Sequence, residues 1–184
     1  MSQAKPSVLI LVANGVDEAQ LTEVQRGLTK AGMTFCTVAP EQGLVNSWHG
    51  NGWGHYFPVD RMIGEALGSD FDVLALPGGE RSVAKLKQNL HTRRLVNHFL
   101  DADKPVAAIG AGVGLLALGT RIIGRLVAAP DSLADELTAA QAQIAPAGPA
   151  EDGNLLTAED ADLADWIEAL LAHLAADAEV AQAA

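Results

Sequence analysis

The sequence predicts a single α/β domain with a doubly wound, mainly parallel sheet and helices on both faces. First, SVLILVA (7–13) is a continuous apolar run, which is typical of a strand buried on both faces of a parallel sheet. Second, strand-like runs alternate with stretches of helical periodicity, the order that βαβ units produce. Third, glycine-containing turns follow several strands, and ligands in such folds bind outside the carboxyl ends of the strands.

The predicted elements follow one another along all 184 residues. After an Asn-Gly turn, Leu21, Val24 and Leu28 share one face of a helix, with Asp17 and Gln20 as a capping pair at its start. Later strands are predicted at 34–39, 72–79, 106–110, 125–129 and 154–158. Since no repeat or linker interrupts this order, 1–184 is predicted to be one domain.

Two further helices are predicted in the second half of the chain. Leu95 and Phe99 are in helical register in LVNHFLDA. Thr157 and Asp160 predict a capping box for the last helix. Its apolar stripe consists of Leu163, Trp166, Ile167, Leu170 and Leu174. From about residue 175 the tail is acidic and alanine-rich, so we expect it to fray.

One segment, 44–60, breaks the alternation. Asn51-Gly52 lies between two strand-like stretches, which strongly predicts a β-hairpin. A short hairpin cannot bury much aromatic surface against itself, so its aromatic side chains should cover the sheet edge, face a partner subunit or line a pocket. They are Trp48, Trp53, Tyr56 and Phe57.

Composition excludes several classes of function. A net charge of −11 argues against binding nucleic acid, which needs a basic face. No apolar run is long enough to span a bilayer, and MSQAKPSV lacks the apolar region of a signal peptide, so a cytoplasmic protein without membrane contact is expected. The single cysteine, Cys36, lies in a strand-like run, which favours an inert buried thiol.

The segment VAAIGAGVGLLA (106–117) has the pattern of a strand, a sharp turn and the start of an apolar helix. Such a turn can hold a nucleophile exposed above a sheet. Here Gly110, Ala111 and Gly112 offer no side chain for chemistry.

The glycines of this turn also suggest a dinucleotide fingerprint, with Asp131 as a ribose-binding acid. The third glycine comes one residue early and the motif follows the fourth strand, so nucleotide binding is disfavoured. Ser82 follows the Pro-Gly-Gly turn but has no evident histidine partner, so a structural role is favoured.

Other candidate groups surround the hairpin and the first helix. His49, His55 and Asp60 are residue types that bind metals, but hydrogen-bonding histidines are the favoured interpretation and no metal is expected. Asp17 and Glu18 begin a helix, where carboxylates are favoured by the dipole. Asp17, Glu18 and His49 remain possible acids or bases.

The order of these pieces resembles the ThiJ/PfpI superfamily, also called the DJ-one family, of the class I glutamine amidotransferase-like fold. The resemblance covers nearly the whole chain and rests on VLILVANGVDEAQL, AGMTFCTVAP, FDVLALPGG, KPVAAIGAG and DGNLLTA. It implies a flavodoxin-like domain and assembly into a homo-oligomer, most often a dimer.

Active members of that superfamily carry Ala-Ile-Cys-His-Gly at the turn. The resemblance aligns their cysteine with Gly110, their histidine with Ala111 and their acidic partner, a glutamate, with Gln20. A thiolate nucleophile needs sulfur and a neighbour that tunes its ionisation, so cysteine-dependent chemistry is expected to be absent. The chain also resembles the C-terminal domain of large-subunit catalases, which has this fold without the cysteine.

The leading hypothesis is therefore a non-catalytic homo-oligomer, without a cofactor, that binds a small molecule or stabilises an assembly. Backbone N–H groups at the glycine turns would hold a small carbonyl or carboxylate ligand. The expected vestigial pocket comprises Gln20, Gly79, Glu80, Gly110, Ala111 and Gly112. The alternatives are an enzyme of the superfamily (a hydrolase or peptidase, glyoxalase or deglycase) that uses other residues, and a module that docks a partner protein through the aromatic hairpin.

Overall fold

A computed structural model describes residues 6–183, with side chains described as far as residue 176. The strands are β1 (Ser7–Leu11), β2 (Val16–Asp17), β3 (Thr34–Ala39), β4 (Leu44–His49), β5 (Gly52–Pro58), β6 (Arg61–Met62), β7 (Val73–Leu76), β8 (Val106–Ile109), β9 (Leu126–Val127), β10 (Gln143–Ile144), β11 (Ala150–Asp152) and β12 (Leu155–Ala158). The α-helices are α1 (Glu18–Lys30), α2 (Glu80–Lys87), α3 (Leu90–Asp101), α4 (Ala134–Ala139) and α5 (Leu163–Ala183).

The central sheet has the order β11-β12-β8-β7-β1-β3-β6. Every neighbouring pair is parallel except β11 with β12. Alternate residues of β1 enter two different apolar clusters, Leu9 in one and Ile10 in the other. Because helices cover both faces of this strand, its sequence is continuously apolar rather than alternating. The predicted doubly wound α/β fold is confirmed.

Helix α1 begins and packs as its sequence predicts. Leu21, Val24 and Leu28 are buried. The Asp17 side chain accepts a hydrogen bond of 2.9 Å from the backbone N–H of Gln20 and so caps the helix. The reciprocal half of the predicted capping pair is not formed, because the Gln20 side chain is directed away from the helix terminus, as described below.

The segment after β8 differs from the prediction. Residues Gly110–Leu118 form successive 3₁₀ turns instead of the start of an α-helix. Three glycines in five residues lower the α-helical propensity, and the short turn of the 3₁₀ form is common at connections. Leu115 and Leu116 are nevertheless fully buried, so this segment contributes to the core.

The predicted capping box of the last helix is wrong. Thr157 is buried, and its Oγ1 accepts a hydrogen bond of 2.8 Å from the backbone N–H of Ala128. Asp160 begins a 3₁₀ turn that precedes α5, and its side chain accepts from Gln20 instead. Both side chains therefore make hydrogen bonds to other parts of the chain, and neither caps the helix that begins at Leu163.

The apolar stripe of α5 includes Trp166, Leu170 and Leu174, which are buried. The helix runs on to Ala183, while the fraying of the tail stays a prediction. Within residues 6–183, no helix combines the length and the apolar character that crossing a membrane requires.

The predicted hairpin is confirmed and consists of β4 and β5. Trp48 lies opposite Trp53, and a shift in register separates Asn46 from Trp48. Strand β2 pairs with β4, so the hairpin forms a second sheet of three strands beside the start of α1. This position brings the hairpin to the carboxyl end of the central sheet.

The close packing of the turn after β8 makes a testable prediction about stability. A Cβ at Gly112 would overlap the carbonyl oxygen of Leu76 and lie 2.8 Å from that of Pro77. We expect Gly112→Ala to lower the free energy of unfolding by about 1–3 kcal/mol, the usual cost of overpacking. The measurement is urea denaturation. The control is Gly52→Ala, because a Cβ at Gly52 has no neighbour within 4 Å; equal effects of both variants would contradict the prediction.

Candidate functional site

Three turns converge at the carboxyl ends of β1, β7 and β8. The backbone N–H of Asp17 donates a hydrogen bond of 3.1 Å to the carbonyl of Gly78. A Cβ at Gly79 would overlap the carbonyl oxygen of Gly15, so these turns touch backbone to backbone. The convergence that the topology predicts is therefore present.

The turn after β8 keeps a backbone conformation that favours glycine. Gly110 has φ of +55°, in the left-handed region. A Cβ built at Gly110 would overlap Oδ1 of Asp160 and lie 3.2 Å from Nε2 of Gln20. The space beside the Gly110 Cα is thus occupied by a carboxylate that comes from the turn before α5.

Gln20 is the link between these turns and is only 2% exposed. Its Oε1 accepts a hydrogen bond of 2.6 Å from the backbone N–H of Gly78. Its Nε2 donates one of 2.5 Å to Oδ1 of Asp160. An amide has one accepting and one donating end, whereas an ionised glutamate only accepts. Glutamine therefore fits a position between a peptide N–H and a carboxylate.

Asp160 is a residue of this site that the sequence indicated only as part of a helix cap. Desolvation of its carboxyl raises its pKa; the Gln20 hydrogen bond opposes that rise, and the charges of Asp17 and Glu80 add to it. Its contact with Gln20 joins residues 140 positions apart. The local pattern indicated only a helix cap, so no signal in the sequence places this carboxyl beside Gly110.

A cavity of about 840 Å³ opens in front of these turns. Of the six residues predicted to form a vestigial pocket, Gly79, Glu80 and Ala111 line it. The other three, Gln20, Gly110 and Gly112, are buried behind its wall. Side chains that were not predicted also line the cavity, on α2 and on the segment around residue 132.

Both signs of charge face this cavity. Asp17, Glu80 and Asp160 supply the acidic groups, while Arg81 and Lys87 supply the basic ones. The two basic groups have partners.

The Arg81 guanidinium lies over the ring of Trp48, 4.1 Å from its centroid, as a cation–π contact. The Lys87 Nζ lies 2.6 Å from the carboxylate of Glu136.

The aromatic residues of the hairpin divide into three environments. Trp48 lines the cavity, and its ring meets that of Trp53 edge-on at a centroid distance of 5.3 Å. Phe57 is partly buried against the core. Trp53 and Tyr56 are 56% and 65% exposed. Only these last two, of the four predicted interface residues, are largely available to a partner.

Glu18 lies outside the wall of the cavity and anchors the hairpin to α1. Its Oε2 accepts hydrogen bonds from Ser47 Oγ at 2.5 Å and from the His55 backbone N–H at 2.7 Å. Its Oε1 lies 3.0 Å from Nδ1 of His55 and 3.6 Å from Nδ1 of His49. The hydrogen bond from Ser47, followed by those from His55, lowers the pKa of Glu18 to about 2. Among the predicted alternative acids and bases, only Asp17 lines the cavity.

Of the three residues of metal-binding type, His49 and His55 both lie beside Oε1 of Glu18, whereas Asp60 makes a different contact. Asp60 accepts a hydrogen bond of 2.7 Å from the backbone N–H of Thr37, away from His49 and His55. In the part of the chain that the structure describes, no three His, Cys, Asp or Glu side chains are arranged to hold a metal ion. Ser82 is buried, and its Oγ accepts from the backbone N–H of Ala13, as a structural serine would.

The lowered pKa of Glu18 predicts how stability depends on pH. Because the folded-state pKa of about 2 lies below the ordinary value of 4.5, the carboxylate stabilises the fold fully above about pH 4.5 and progressively less as pH falls toward 2. Glu18→Gln should be less stable than the wild type at pH 7, and this difference should shrink over that window. The measurement is urea denaturation at a series of pH values.

Glu23→Gln is the matched control, because Glu23 is paired only with Arg26 on the exposed face of α1. A difference between Glu18→Gln and the wild type that stays constant from pH 7 to pH 2 would contradict the assignment.

Comparison with known proteins agrees with this architecture. Residues 6–173 match the model of the DJ-1/PfpI family. Protein DJ-1 homolog D from Arabidopsis thaliana is 35% identical over 72 residues, 39% of this chain and 18% of that relative. Protein/nucleic acid deglycase 2 from Escherichia coli is 27% identical over 122 residues, 66% of this chain and 69% of that relative.

A solved structure also superimposes closely. It is a two-domain protein from Anabaena variabilis with DJ-1/ThiJ/PfpI-like and ferritin-like domains, 26% identical with a TM-score of 0.85. This match covers 92% of this chain, which spans half the length of that protein. The match to the Arabidopsis relative covers under a fifth of that relative's length. The finer resemblance to the catalase C-terminal domain stays a prediction. On the match over residues 6–173, the chain belongs to the DJ-1/PfpI family.

Proposed function

We propose that this member of the DJ-1/PfpI family binds a small molecule in the cavity beside Gly110 and performs no cysteine-dependent catalysis. The observation that carries the proposal is the state of the turn. Gly110 keeps a φ of +55°, and the space that a side chain there would fill holds the carboxylate of Asp160. The turn therefore has a left-handed backbone at Gly110, and the group beside it is a carboxylic acid.

The single cysteine supports the proposal. Cys36 lies in β3, packs partly buried against the core, and does not line the cavity. Desolvation raises its pKa, and the charge of Asp60 adds to the rise, so little thiolate forms at neutral pH. The Escherichia coli relative is named a deglycase. The turn of the present chain has no thiol, because Gly110 stands where the resemblance places the cysteine of active members.

The cavity has the size and composition of a ligand site. Its volume of about 840 Å³ lies within the roughly 300–1,000 Å³ that small-molecule sites occupy. Trp48, Val83 and Leu133 supply apolar wall, and Arg81 and Lys87 supply positive charge. We propose a small carbonyl or carboxylate compound as the ligand, with its oxygen atoms directed toward these two cations.

A thermal-shift screen of small carbonyl and carboxylate compounds tests this function. A ligand at about a hundred times its Kd should stabilise the fold by roughly 2.7 kcal/mol, raising the midpoint by about 5–10 °C for a chain of this size. Ala84→Trp should abolish the shift, because Ala84 is an exposed residue of α2 that lines the cavity.

Ala172→Trp is the matched control, since Ala172 is an exposed residue of α5 away from the cavity. A ligand that stabilises the wild type and Ala84→Trp equally would place binding elsewhere. A complete absence of shifts in the wild type would remove the basis of the proposal.

A second function, assembly into a homo-oligomer through the hairpin, is favoured by one specific observation. Three large apolar side chains of the hairpin are exposed to solvent: Leu44 at 52%, Trp53 at 56% and Tyr56 at 65%. Leu44 belongs to β4, and Trp53 and Tyr56 belong to β5. Exposed apolar surface gathered on one element is typical of an interface. We propose a dimer in which this hairpin is covered.

Sedimentation velocity of the double variant Trp53→Ser/Tyr56→Ser tests the assembly. The wild type should sediment as a dimer and the variant as a monomer, because two aromatic side chains are lost from the interface. Leu90→Ser is the control, since Leu90 is 77% exposed on α3, outside the hairpin. A wild type that is monomeric, or a variant that stays dimeric, would contradict this interface.

A further inference from the structure

We propose that Asp160 is the ligand-contacting carboxylate of the cavity and that it selects a ligand carrying a protonated amine. This inference rests on the proposed small-molecule binding and adds the chemical class of one ligand group. It makes the expected occupant bipolar, with a carbonyl or carboxylate at one position and an ammonium at another.

The geometry leaves one oxygen of Asp160 for a ligand. Its Oδ1 is occupied by the hydrogen bond from Gln20 Nε2 at 2.5 Å. Among the described residues, the hydrogen bond from Gln20 is made to Oδ1, and none is made to Oδ2. Asp160 lines the cavity and is exposed to solvent there, so a ligand in the cavity can reach this second oxygen.

The carboxylate is held in place before a ligand arrives. Gln20 is buried, and its other end is fixed by the backbone N–H of Gly78 at 2.6 Å. Gly110 has no Cβ, which leaves room for Oδ1. A group positioned by buried neighbours loses little conformational entropy on binding, which favours affinity and selectivity.

The charges around Asp160 favour a cation over an anion at this oxygen. Asp17 and Glu80 line the same cavity and raise the pKa of Asp160, after the larger effect of desolvation. The negative charges of Asp17 and Glu80 disfavour ionised Asp160 when it is alone, and the same charges favour a positively charged ammonium beside it. Arg81 and Lys87 line the same cavity over the ring of Trp48 and beside Glu136, and they are the groups proposed above for the carbonyl or carboxylate of the ligand. A hydrogen bond from an ammonium to a carboxylate is also stronger than one between neutral groups.

The test uses three probes of similar size: butylammonium, butyrate and 4-aminobutyrate. Each is titrated into ¹⁵N-labelled protein in phosphate buffer at fixed ionic strength, and Kd is taken from amide chemical shifts. The variants are Asp160→Asn and, as a control for the loss of one negative charge, Asp165→Asn at an exposed position of α5. Asparagine at 160 retains an oxygen that can accept from Gln20, so the fold should be preserved.

We expect 4-aminobutyrate to bind the wild type more tightly than butyrate. Asp160→Asn should weaken 4-aminobutyrate and butylammonium by about tenfold or more, the equivalent of one charge-assisted hydrogen bond. The same change should leave butyrate equal or tighter. Asp165→Asn should leave all three unchanged.

The two proposals fail differently. Asp160 does not select an amine if 4-aminobutyrate or butylammonium binds Asp160→Asn as tightly as it binds the wild type, or if butyrate is the only probe that binds. Either result would leave the proposed small-molecule binding in place. If no probe perturbs amides near the cavity and the wider ligand screen is also silent, the binding function itself is overturned. Equal weakening by Asp165→Asn would assign the effect to net charge and overturn the role of Asp160.

Discussion

The arrangement of the site depends on one constraint, the backbone-to-backbone contact of the turns after β1, β7 and β8. Gly79 and Gly112 lie where any Cβ would overlap a neighbouring carbonyl oxygen. Gly79 also has φ of +99°, which side chains rarely adopt. With bulkier residues the turns would separate, and the reach of the Gln20 side chain to Gly78 would be lost. The short glycine-rich connections therefore determine the position of the functional groups around them.

A second contact, from Gln20 to Asp160, joins the start of the chain to its last helix. Gln20 is held by the cap at Asp17 through its backbone and by Gly78 through its Oε1. Asp160 is held at the first turn before α5. Since α5 also packs against α1, with Ile167 beside Gly27, this polar contact and the apolar contact stabilise the same interface. Asp160, which lines the cavity, therefore also contributes to the contact between α1 and the segment that leads into α5.

The features that the sequence could predict are those determined by neighbours in the chain. The burial of β1, the apolar face of α1 and the Asn51-Gly52 hairpin all follow from local periodicity or turn chemistry. Helix α2 was not predicted, because its eight residues carry few apolar side chains and begin immediately after the Pro-Gly-Gly turn. The position of Asp160 beside Gly110 could not be predicted, since its contact partner Gln20 is 140 positions away. The division of the hairpin aromatics among cavity, core and solvent likewise depends on tertiary contacts that no local pattern encodes.

Glycine at position 110 has a consequence beyond the absence of a nucleophile. Any side chain there would require the Asp160 carboxylate to move, and a glutamate at position 20 would repel that carboxylate instead of donating to it. Glycine at 110, glutamine at 20 and aspartate at 160 are thus compatible as a set, in which the small residue leaves room and the amide donates to the side-chain oxygen at 160. A site that had merely lost its reactive group would leave an empty space beside this turn. Here the space is occupied by a carboxylate fixed by a buried amide, which argues for a cavity with its own binding chemistry.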